Sequence, residues 1–165
     1  MPFQFQHSRL RQTRTQDIPA LGLTLRVLLE PEDSGRELTI IETVNAPGFG
    51  PPFHRHPETE IFRVLEGRYI FEVDGSRYPA EEGDLVTVPG GLPHRFVNVS
   101  DKPARQLVMM LPGLDAYAFF GGLAETMRDG IPSRSVLNAF GEPWGCEFLG
   151  GPLTLDQLTP AETGR

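Results

Sequence analysis

The sequence predicts a single all-β domain, a barrel or sandwich of short strands, followed by a short helical segment. Three observations carry that expectation. Apolar and polar residues alternate in short runs between positions 23 and 111. The 18 glycines and 16 prolines among 165 residues are spread along the chain, so they read as punctuation between strands. Helical spacing sets in only after Pro112.

Taken in order, residues 23–30 alternate well enough for a first strand, and Pro31 to Gly35 is turn chemistry. Residues 37–45, rich in Ile, Thr and Val, read as a second strand. Ala46 to Phe53 carries three prolines and two glycines and reads as a loop. Residues 60–66 form the next strand, ended by Gly67, and residues 68–73 the one after it. Asp74-Gly75 is a hairpin signal, so Arg77 to Ala80 is expected to pair back. Leu85 to Val88 is a short apolar strand stopped by Pro89-Gly90-Gly91, and residues 94–99 and 104–111 complete the run. Residues 114–129 have the spacing of an amphipathic helix, and Arg134 to Phe140 of a second, short one. Residues 141–165 read as loop, frayed past Thr159. The expected organisation is one domain over 1–165, with its barrel over 23–111 and a helical and loop extension over 112–165.

Composition narrows the function classes. A formal net charge of -7 opposes nucleic-acid binding, and no Lys/Arg cluster overrides it. Arg9, Arg11 and Arg14 read as a solvated tail, and His7 lies in it. The one cysteine, Cys146, cannot form an intrachain disulfide and reads as a buried, inert thiol. No stretch resembles a signal peptide or a membrane span, so a cytoplasmic protein without membrane contact is expected.

The chemistry-bearing residues are concentrated. His54 and His56 are two apart, so on a strand both would face the same side. Glu60 follows after a possible turn at Pro57-Glu58-Thr59, and His94 opens a later strand. Three imidazoles and a carboxylate are good ligands for a borderline divalent metal. On an octahedral ion they leave two positions open, whereas a tetrahedral zinc would be saturated. By parity Glu58 is expected to face out, and Glu66 and Glu72 read as solvated surface charges. Phe62, Val64 and Phe96 share parity with the candidate ligands and are expected to line a substrate pocket.

Two motifs place these residues in a known context. Gly48, five residues, His54-Arg55-His56, three residues, Glu60, six residues and Gly67 form the first. Gly83, five residues, Pro89-Gly90-Gly91, two residues, His94, three residues and Asn98 form the second. Together they resemble the two motifs of the cupin superfamily at every specified position, and the surrounding strands extend the likeness over residues 37–111. The resemblance implies a double-stranded β-helix, the jelly-roll barrel, with His54, His56, Glu60 and His94 as ligands of one divalent transition metal: Fe, Mn, Ni, Cu, Co or Zn. It also implies a homodimer, to which residues 1–22 could contribute an edge strand. Gly48, Gly67 and Gly83 stand where tight turns need positive φ, and Asn98 is expected to satisfy loop backbone.

The short barrel with its helical tail resembles the single-domain cupins grouped with quercetinase-like enzymes. The first expectation is therefore a metal-dependent dioxygenase acting on a small molecule, with Glu60 also serving as general base. A metal-dependent isomerase or lyase on a small polar metabolite is the alternative, and would need extra Lys, Arg or Glu in the cavity to bind hydroxyls and carboxylates, with Arg63, Arg68 and Arg95 not placed by the pattern. A binding protein without turnover is the third reading.

Overall fold

The computed structural model describes residues 3–164, except the Leu10 side chain. The strands are β1 (Thr15–Ile18), β2 (Leu23–Leu29), β3 (Thr39–Asn45), β4 (Pro52–Arg55), β5 (Thr59–Glu66) and β6 (Arg68–Val73). They continue as β7 (Ser76–Glu81), β8 (Leu85–Val88), β9 (His94–Asn98), β10 (Ala104–Leu111) and β11 (Glu147–Pro152). Three helices follow the main run or close it: α1 (Ala116–Thr126), α2 (Arg134–Gly141) and α3 (Pro160–Thr163).

All pairings are antiparallel and build two sheets, in the orders β1-β2-β3-β10-β5-β8 and β11-β4-β9-β6-β7. From β3 to β11 the chain changes sheet at every step except the β6–β7 hairpin, which is the jelly-roll arrangement. Pro79 lies on β7, the edge of its sheet, where the missing N–H removes no ladder bond on the open side.

Alternation fills the space between the sheets. In β3 the burial pattern is strictly periodic, with Thr39, Ile41, Thr43 and Asn45 inward. Phe62, Tyr69, Phe71 and Phe96 meet as an aromatic cluster with centroids 5.1–6.2 Å apart. Burying each such ring contributes about 1.5–3 kcal/mol. A second cluster, with Ile18, Leu21, Leu123, Met127, Leu137, Cys146 and Phe148, joins α1 and α2 to one end of the barrel. Asp115 and Ser133 cap the two helices by accepting from Ala118 N and Val136 N.

Three expectations on organisation need correcting. The sheets extend beyond 23–111, because β1 and β11 join them. Residues 15–18 form β1, an edge strand paired on one side with β2 of the same chain; Met1 and Pro2, also in the edge-strand expectation, lie outside the described residues. Residues 141–165 are not a plain loop. β11 pairs with β4, Leu153 with Leu155 and Leu158 covers Ile70 and Val97 on the outer face, and a Thr159/Glu162 capping box starts α3. Residues 46–53 likewise include the start of β4. These segments lack alternation because their partners are distant in sequence.

The same tail explains Glu72, which is not a solvated charge. It is 9% exposed and sits between Arg95 (2.8 Å) and Arg77 (3.0 Å). Those arginines also donate to the Gly151 and Gln157 carbonyls, and Arg68 donates to the Thr163 carbonyl. Glu66 is exposed and pairs with Arg105 at 2.6 Å. Among the described residues, no helix is long and apolar enough to cross a membrane.

A candidate metal centre

His54 on β4 and His94 on β9 are cross-strand partners, with ring centroids 4.4 Å apart. His56 follows the end of β4, and Glu60 enters from β5 of the other sheet. One ligand atom from each of these four residues lies within 4.8 Å of all the others. Glu60 Oε2 is 2.9 Å from His94 Nε2 and 3.2 Å from His56 Nε2.

The imidazoles are oriented from behind. His54 Nδ1–H donates to the Pro52 carbonyl at 2.7 Å, and His94 Nδ1–H to the Leu92 carbonyl at 2.9 Å. His56 Nδ1 lies 3.1 Å from a Glu58 carboxylate oxygen. The two hydrogen bonds hold the δ nitrogens of His54 and His94, the ion-pair contact faces that of His56, and all three leave Nε2 for a metal. The parity argument placed Glu58 outside. A bend at Pro57-Glu58 interrupts the strand, so alternation does not carry through it, and Glu58 lines the cavity beside His56.

The second motif fastens that bend. Gly91 N–H donates to the His56 carbonyl at 2.7 Å and Gly90 N–H to Thr59 Oγ1 at 3.2 Å. A Cβ on Gly90 would stand 2.0 Å from the Pro57 carbonyl oxygen, so only glycine admits this approach. Gly48, Gly67 and Gly83 have positive φ as expected. Asn98 Nδ2 donates to the Asn45 and Lys102 carbonyls, which ties two loops together away from the imidazoles.

Electrostatics separates the three imidazoles. Burial, then the neighbouring His94 and His56, pull the His54 pKa down to about 3, so it is neutral. Burial also opposes charge on His56, but the Glu58 and Glu60 carboxylates outweigh it and push its pKa up to about 10. Burial would raise Glu60, yet hydrogen bonds from His56 and His94 hold it well below the usual carboxylate range. A buried carboxylate converging with three Nε2 atoms in an otherwise apolar barrel fits a divalent transition metal.

The cluster opens onto a cavity. Phe62, Phe96, Val108 and Met110 line it from the barrel, and Phe119, Phe120, Trp144 and Phe148 close it from the C-terminal segment. Phe62 and Phe96 are where parity put them. Val64 is buried in the core, one step farther along β5, and does not line the cavity. Sequence reasoning missed Glu58 and the C-terminal wall. A carboxylate directly beside the HxH pair was the available signal for Glu58; the wall had none. Cys146 also lines the cavity, and burial pushes its thiol up to about 12.

Residues 41–110 match the family model described as "Cupin domain". That match runs from β3 to β10 and leaves β1, β2, the helices and β11 outside it. An uncharacterized protein of Methanocaldococcus jannaschii is 28% identical over 93 residues, covering 55% of this chain and 74% of that one. The polyketide synthase CurC of Streptomyces cyaneus is 33% identical over 93 residues, covering 55% of this chain and 60% of that one. An RmlC-like cupin from Shewanella frigidimarina superposes with a TM-score of 0.60 at 23% identity, over 71% of this chain and 99% of that one. That likeness speaks to the fold, and the barrel places the four candidate ligands at its interior.

Proposed function

We propose that this cupin is a metal-dependent dioxygenase acting on a small phenolic or enolic aromatic molecule. The observation that carries the reading is the cavity wall. Beyond the His/Glu cluster, Glu58, Thr43, Asn45 and the sulfurs of Met110 and Cys146, it is aliphatic and aromatic, and among the described residues no Lys or Arg lines it. Arg63 bonds the Gly83 carbonyl and is exposed, while Arg68 and Arg95 serve the outer face. A sugar acid or keto acid would find no cation to bind its carboxylate, which counts against the polar-metabolite isomerase or lyase.

When bound, a transition metal supplies Lewis acidity toward a substrate oxygen and one-electron chemistry toward dioxygen. His54, His56 and His94 would hold it through Nε2, with Glu60 as the fourth ligand. In the metal-free site His56 and His94 hold Glu60 ionised; with their Nε2 atoms on a metal, Glu60 would be the anionic ligand and, when loosely held, the carboxylate placed to receive the proton of a phenol or enol. Glu58 offers a second carboxylate on the same wall. Phe96, Phe119 and Phe148 exclude water and present ring faces to an aromatic substrate.

The test is oxygen uptake by metal-restored protein with catechols, flavonols and cyclic enols, beside a His54→Ala/His94→Ala variant. Oxygen consumed in step with substrate, and lost in the variant, is the expected result. Turnover that proceeds equally without oxygen would replace this reading with a non-oxidative one, cyclisation or isomerisation of a polyketide-like enol. The likeness to CurC favours that second reading. Ligand binding with no turnover would leave a binding protein.

A further inference from the structure

The cavity has a second polar pole. Thr43 is 5% exposed, and its hydroxyl has no hydrogen-bond partner although Thr43 lines the cavity. Gln106, its cross-strand partner on β10, is fully buried, and neither its amide nitrogen nor its oxygen is bonded. The Tyr69 hydroxyl gives its proton to Asn45 Oδ1 at 3.1 Å, and its oxygen is the acceptor within reach of the Gln106 amide nitrogen, which leaves the Gln106 oxygen without a donor. Of the other neighbours of Thr43 in register and along its strand face, Leu25 and Ile41 are apolar, and Asn45 Oδ1 is taken by the Tyr69 hydroxyl. Leaving polar groups unpaired inside a core costs free energy comparable to a lost hydrogen bond. Groups that remain unpaired in a functional cavity are candidates for pairing with its ligand.

Their position is remote from the metal centre. Met110 pairs with Glu60, and Gln106 lies four residues farther along β10, about 13 Å in an extended strand. Ile41, Phe62, Phe96 and Val108 line the stretch between the poles.

We propose that Thr43, backed by Gln106, is a hydrogen-bonding anchor for an oxygen substituent at the end of the ligand remote from the metal. The ligand class is an elongated, flat, apolar molecule with an oxygen function at each end, of at least two fused rings. This deepens the reading of the cavity as the substrate site and rests on it. Thr43 offers one donor and an acceptor, so it suits a phenol or a ring carbonyl and gains nothing from a hydrocarbon edge.

The probes are a naphthalenediol with hydroxyls at opposite ends and the corresponding mono-naphthol. Their binding is measured by titration calorimetry on metal-restored protein. Wild type should bind the diol about fivefold more tightly, the worth of one net hydrogen bond. Thr43→Val should bring that ratio to about one, with mono-naphthol affinity kept, and Gln106→Met should reduce it. Both variants should retain the wild-type metal content and melt at or above the wild-type temperature. The apolar replacements remove groups that the free protein leaves unpaired. Equal binding of the two probes by wild type, a preference that survives Thr43→Val, or a lower melting temperature in both variants would overturn the anchor alone. Binding of neither probe by wild type would overturn the aromatic-substrate reading, and the anchor with it.

Discussion

Replacing Glu58 tests how the metal centre is held. Its carboxylate lies 3.1 Å from His56 Nδ1, an ion-pair contact without hydrogen-bond alignment in the metal-free site, and is the group placed to orient that imidazole. Partners of this kind are worth 10- to 100-fold in metal affinity. Glu58→Ala should therefore weaken Zn²⁺ or Co²⁺ binding by about that factor. Glu58→Gln keeps a neutral acceptor, which is worth about 1 kcal/mol less than a charged one, so it should cost roughly fivefold. The loss depends on pH in a definite direction. Because Glu58 and Glu60 push His56 up to about 10, a metal arriving at neutral pH must displace a proton from it. Removing Glu58 lowers that pKa and eases the displacement. The net loss is thus smaller near neutral pH and approaches its full value as the pH rises toward 10. Chelator competition across this range, with the Co²⁺ absorption bands reporting ligand geometry, measures both effects. Affinities of the Ala and Gln variants within twofold of wild type near pH 9 would refute the positioning role.

Other consequences are accessible to simple assays. Gly90→Ala forces a methyl group toward the Pro57 carbonyl at 2.0 Å and should lower metal content and melting temperature together. Normal metal content in that variant would show that the turn does not hold the Pro57-Glu58 bend. Leu153→Ala uncovers Ile70 and Val97 and should cost about 2–5 kcal/mol in urea unfolding. With burial holding its pKa up to about 12, the Cys146 thiol stays protonated at pH 8. It should react with a disulfide reagent only after denaturation; rapid labelling of the native protein would place it outside the cavity wall. The homodimer expected from the family resemblance gives a light-scattering mass of twice 18.3 kDa, and a single-chain mass removes it.

The amino-acid sequence by itself determined the central run of strands and the four candidate ligands. Alternation is a local property: β2, β3 and β10 could be read residue by residue because each strand's own pattern records which face is inward, and β5 to β9 were bounded by their glycine and proline turns. His54, His56, Glu60 and His94 were legible for the same reason, since fixed motif spacing around glycine turns carries their geometry. Tertiary structure alone decided what surrounds them. The Pro57-Glu58 bend breaks the period of two and turns Glu58 toward His56, against the parity rule. β1 and β11 form because distant strands supply their hydrogen bonds, and neither segment encodes a partner. Phe119, Phe120, Trp144 and Phe148 become a cavity wall only when α1, the turn after α2 and β11 fold over the barrel end. Glu72 and Thr43 make the contrast sharpest. Local pattern sees one charged residue and one polar residue on strands. Long-range packing puts Glu72 between Arg77 and Arg95 beneath the tail, and leaves the Thr43 hydroxyl unpaired inside the cavity.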